Sequence, residues 1–87
     1  MRVFTRDRPY REPGAAADKL LEIANGIETV QAGRIPTGTL NAAFIAAGGT
    51  PEDYRAAIAR ALEDSMIDLH KSGTFITFTP KGAERFA

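Results

Sequence analysis

Residues 60–86 read RALEDSMIDLHKSGTFITFTPKGAERF, and three changes of pattern inside this stretch decide the fold. The stretch opens at helical spacing. Tyr54, Ile58, Leu62 and Met66, with Ala61 and Ser65 beside them, recur every fourth residue and predict the buried stripe of a helix ending near residue 66. The pattern then turns strand-like: Ile67-Asp68-Leu69-His70 and Thr74-Phe75-Ile76-Thr77-Phe78-Thr79 flank Lys71-Ser72-Gly73. Gly73 can supply positive φ, so a tight hairpin is expected, with Ile76 and Phe78 toward the core. Thr79-Pro80-Lys81-Gly82 then reads as a cap and helix start, leaving room for no more than two turns before Ala87.

Upstream, Thr50-Pro51-Glu52-Asp53 opens the third helix with a capping hydroxyl, a proline whose missing N–H costs nothing at the first position, and acids in the first turn. Gly48-Gly49 closes a second helix, expected from about Thr39 to Ala47, with Thr37 or Thr39 as cap and Leu40, Ala43, Phe44 and Ala47 inward. Ile35-Pro36 allows only a short extended segment, because proline biases the preceding residue away from helix. Before it, Leu20, Ile23, Ala24, Ile27 and Val30 mark one face of a first helix from Ala15 to about Ala32, with Gly33 placed to end it in a left-handed conformation. Residues 1–13, bearing Pro9 and closed by Pro13-Gly14, read as a basic N-terminal arm, and residues 14–87 as a single domain.

The chain has 87 residues, enough for one small core and no second one. Its 44% hydrophobic and 25% charged residues are those of an ordinary globular protein. The absence of Cys excludes disulfides, thiol nucleophiles and thiolate metal sites, and the single His70 excludes sites that need several imidazoles. No apolar run has the length of a membrane span and the N-terminus has no signal-like apolar stretch, so a cytoplasmic protein with no membrane partner is expected. Ser65 and Ser72 lie on a helix stripe and in a turn with one His to serve either, Glu63, Asp64, Asp68 and His70 make no metal-ligand spacing, and no glycine-rich phosphate loop follows a strand. No enzymatic activity, cofactor or metal is expected.

Eleven basic residues balance eleven acidic ones, but unevenly along the chain. Arg2, Arg6, Arg8 and Arg11 outnumber Asp7 and Glu12 in the arm, whereas residues 48–69 hold Arg55 and Arg60 against Glu52, Asp53, Glu63, Asp64 and Asp68. The third helix therefore lies in the most acidic part of the chain.

The order of arm, helix, short strand, helix, turn, helix, hairpin and short helix resembles a winged helix-turn-helix domain. From Thr37 to Phe86 the chain is similar to the MarR- and PadR-type bacterial regulators, with Leu62 on the third helix, Ile67 on the strand after it, Ser72-Gly73 in the wing, Phe75 to Thr79 on the returning strand, and Thr79 with Gly82 at the last helix start. The resemblance implies a mainly α fold with a small β-hairpin (α+β), a three-helix core carrying a two- to three-stranded wing, and a DNA-binding, transcription-regulator role. Arg55 and Arg60 would then read or clamp the major groove of double-stranded DNA. Lys71 would touch the backbone from the wing, and Arg2, Arg6 and Arg8 would supply arm contacts. Such regulators usually bind as dimers, and Phe86 is a candidate homodimer contact.

A second reading uses the same fold for protein contact, docking the acidic third helix through Glu63 and Asp64 on a partner or on a second copy. Simpler roles compete with both: Arg60 with Asp64 and Glu52 with Arg55 are spaced as ordinary surface helix pairs. Val3, Phe4 and Tyr10 would likewise serve to tie the arm down over the domain.

Overall fold

A computed structural model describes residues 9–27 and 33–86. The chain runs α1 (Pro13–Gly26), β1 (Ile35–Pro36), α2 (Thr37–Ala46), α3 (Pro51–Glu63), β2 (Ile67–Leu69), β3 (Phe75–Phe78) and α4 (Pro80–Glu84). The three strands form an antiparallel sheet in the order β1-β3-β2, with Ile35 opposite Ile76 and Ile67 opposite Phe78. The fold is mainly helical α+β, as expected. Val3, Phe4 and Val30 lie outside the described residues.

Pro13 and Gly14 open α1 instead of closing the arm. The Glu12 carboxylate accepts from the backbone N–H groups of Gly14 at 2.9 Å and Ala15 at 3.3 Å, and Pro13 occupies the position where its lost donor is free of cost. At its other end α1 stops at Gly26, with Ile27 extended at ψ 132°, short of the expected end near Ala32. The glycine thus sits at the helix terminus, where its cost is lower than in the interior. Gly33 does take positive φ, +72°. The buried face of α1 is Ala16, Ala17, Leu20, Leu21 and Ala24, with Ile23 and Ile27 at its margin.

α2 begins at Thr37 behind an extended Pro36, and no side chain caps it. Thr37 is used otherwise: its backbone N–H donates to the Thr74 carbonyl at 3.0 Å and its hydroxyl to the Gly73 carbonyl at 2.8 Å, fastening the helix start to the hairpin. Leu40 and Phe44 are fully buried, whereas Ala47 is exposed. Phe44 centres the aromatic packing, with its ring 5.6 Å from Tyr10 and 6.0 Å from Tyr54. The turn after α2 needs both glycines. Gly48 has φ +109°, and a Cβ on Gly49 would overlap the Phe44 ring.

Thr50 caps α3 as predicted, and Asp53 completes a capping box: Thr50 Oγ1 accepts from the Asp53 N–H and Asp53 Oδ2 from the Thr50 N–H, both at 3.1 Å. Its buried line is not the predicted stripe. Asp53, Ala57 and Ala61 face inward, Tyr54 and Ile58 are half-buried, and Leu62 is 38% exposed. The helix packs mainly on α1, where small side chains allow the closest approach. The alanines therefore take the centre and the larger residues are turned to the flank.

α3 ends at Glu63, three residues early. Ser65 adopts φ +59°, its N–H reaches the Leu62 carbonyl at 3.0 Å, and the Met66 N–H reaches the Ala61 carbonyl at 2.9 Å, which is a Schellman closure with serine in the left-handed place.

The hairpin forms as predicted, with Gly73 at φ +77° and its N–H donating to the His70 carbonyl at 2.8 Å. Ile76 is buried and Phe78 half-buried. Thr79 caps α4 by accepting from the Gly82 N–H at 3.0 Å, and its own hydroxyl donates to the Ser65 carbonyl at 2.6 Å. Phe86 turns inward, edge-on to Phe78 at 5.8 Å.

Candidate interaction surface

The structure does not bring Arg55 and Arg60 to one surface. Five residues apart on a 3.6-residue helix, they point about 140° apart. Arg60 lies on the α1 side, its Nε 3.2 Å from Asp64 Oδ2 and its guanidinium nitrogens beside Gly14. It borders a small cleft of about 130 Å³ together with Arg85, whose Nη2 is 3.4 Å from Asp18 Oδ1. The surface-pair reading of Arg60 and Asp64 holds. Lys81 also closes this end of α3, donating to the Asp64 carbonyl at 3.0 Å, where a cation suits the carbonyl end of the helix.

Arg55 lies on the opposite, solvent side. It borders a groove of about 530 Å³ between α3, the start of α2 and the hairpin, whose apolar lining is Ile58, Ala59, Leu62 and Leu69. Leu62 and Leu69, 38% and 41% exposed, are two of the three exposed large hydrophobic side chains among the described residues. Tyr54 walls one side, its hydroxyl donating to the Thr37 carbonyl at 3.4 Å, and burial raises its phenol pKa.

Glu63 is exposed at the end of α3, and Lys71 is exposed in the hairpin turn. Beside Lys71, the His70 ring stacks on Phe75 at 4.4 Å, and the Arg34 guanidinium covers the Phe75 ring at 4.6 Å. His70 Nδ1 accepts from the Ser72 N–H at 3.1 Å. Arg2, Arg6 and Arg8 lie outside the described residues.

Among the described residues no cluster of three His, Asp or Glu could hold a metal ion, and no helix is long and apolar enough to cross a membrane. No protein-family model matches the chain, and no curated protein or solved structure matches it significantly.

The groove was not visible in the sequence because it needs the α3 rotation. A usable signal was present all the same: residues 35–50 contain no charged side chain, although much of α2 is exposed.

Proposed function

We propose that the chain is a winged-helix domain that binds rather than catalyses, acts in a bacterial cytoplasm, and uses the outer face of α3 for protein–protein contact. The winged-helix reading is supported by the helix–strand–helix–helix–strand–strand order and by a sheet in which the first strand pairs with the last. The contact reading is carried by the groove face itself. A helix that reads base edges needs hydrogen-bonding side chains there, and phosphates need cations. The outer face of α3 offers Ala59, Leu62 and a single arginine, Arg55, between Glu52 and Glu63, and the neighbouring α2 has no charge at all. Apolar surface of this kind is stabilised by exclusion of water against another protein.

The test pairs two measurements. Titration into a random DNA duplex at about 50 and then 200 mM salt should show no salt-dependent affinity, since phosphate contacts must respond in that range. Capture of native partners from a cell extract should succeed with the wild type and fail with Leu62→Lys. Micromolar, salt-sensitive DNA binding that Arg55→Ala weakens would overturn the proposal.

A second reading, transcription regulation by DNA contact along the wing and arm, is favoured by one observation. Arg34 and Lys71 lie on or beside the same hairpin, to which Arg2, Arg6 and Arg8 of the arm would add. DNA binding lost with Arg34→Ala and Lys71→Ala but indifferent to Arg55→Ala would establish it.

A further inference from the structure

We propose that the partner of the α3 face is a second copy of this chain, packed α3 against α3 about a two-fold axis at Ala59. The inference rests on the protein-contact reading above and identifies its partner. Arg55, Ala59 and Glu63 are all exposed and spaced four residues apart, so they form one ridge along the outside of α3. A two-fold interface is self-complementary: whatever residue i meets, that residue's counterpart meets i.

With the helices antiparallel and Ala59 on the axis, residues equally far before and after it come face to face. Arg55 then meets Glu63 of the partner subunit, and the symmetry makes the same ion pair twice. Leu62 meets Ala56 of the partner subunit, large against small. Ala59 meets its own image, and its methyl group permits interaxial separation toward the short end of the usual range, about 8 Å.

Three further facts agree. Among the described residues neither Arg55 nor Glu63 forms an ion pair within its own chain. Their Cα atoms are eight residues apart on one helix, about 12 Å along the axis, too far to satisfy each other. The chain's formal net charge is zero, so two copies meet without overall repulsion.

The test is sedimentation velocity of the full chain over about 1 to 500 µM, a range bracketing a moderate dimer. Wild type is expected to shift from monomer to dimer. Arg55→Glu and Glu63→Arg each place like charges opposite one another twice, and each should raise the dissociation constant about tenfold or more at low salt. The double variant Arg55→Glu/Glu63→Arg should restore dimerisation, because the swapped charges meet again only across the two-fold axis. Ala59→Glu should leave a folded monomer, as position 59 is exposed in the single chain.

A wild type that stays monomeric throughout, or a double variant no better than the singles, overturns the self-pairing. Monomeric wild type with Leu62-dependent capture of another protein overturns it while leaving the protein-contact reading intact. DNA binding that depends on Arg55 overturns both.

Discussion

Gly82 of α4 lies flush against the main-chain carbonyl of Met66, so that a side chain at 82 would overlap the carbonyl oxygen and come within 3.0 Å of the Phe78 ring. The same oxygen accepts from the Thr79 N–H at 3.1 Å, which holds it in place. Gly82→Ala must therefore displace backbone, at about 1 to 3 kcal/mol by the usual cost of overpacking. Gly38→Ala, with nothing within 4 Å of the added methyl, should instead stabilise by about 0.5 kcal/mol through the unfolded chain. Urea unfolding of the pair measures both signs at once, and equal effects would contradict the close approach.

Ser65 occupies a conformation at φ +59° that costs a non-glycine residue about 1 kcal/mol. Ser65→Gly should recover about that much, because the partner in the Thr79 hydrogen bond is the Ser65 carbonyl and survives the change. An unchanged or lower urea midpoint would argue against a left-handed residue here.

Phe44 is fully buried and touches Tyr10, Tyr54 and Gly49. Phe44→Ala should cost about 3 to 5 kcal/mol, enough to unfold a marginal domain of this size. Circular dichroism at 25 °C would register it, and a melting temperature within a few degrees of wild type would count against this core.

Burial keeps the Tyr54 phenol protonated above its ordinary value of 10.0. The folded chain thus holds that proton more tightly than the unfolded one. The associated stability is present below the ordinary value and is lost as pH rises through the raised folded value. Unfolding free energies at about pH 9 and pH 11 should therefore fall less for Tyr54→Phe than for wild type. Parallel losses in the two proteins would place the phenol in water.

The elements with strong local chemistry were legible in the sequence. Thr50-Pro51 and Thr79-Pro80 carry their capping information within four residues, and Gly73 fixes the hairpin turn by itself. Helix ends set by side chains in unfamiliar roles were not: Glu12 capped α1 where Pro13-Gly14 suggested a break, and Ser65 ended α3 where a glycine would have been the signal. The rotation of α3 was misread for a deeper reason. Periodicity identifies a stripe of large apolar residues, but the contact between α1 and α3 is centred on Ala57 and Ala61, whose small size brings the helices together. Moving the stripe by one position turned Leu62 outward, while the five-residue spacing of Arg55 and Arg60 sets them about 140° apart on any helix, and the candidate surface changed from a cationic face to an apolar groove.

The sheet has two edges, and both are poor templates. β1 is two residues long and ends in Pro36, which has no N–H to offer an incoming strand. β2 is three residues long and carries an exposed Asp68 at its middle. A foreign strand would find little length on either edge and no donor at Pro36, which guards the small fold against fibrillar growth through its sheet. Molecules that meet the described residues do so through side chains, on the helices or at the hairpin turn, where recognition depends on shape and charge rather than on main-chain hydrogen bonds that any polypeptide could supply.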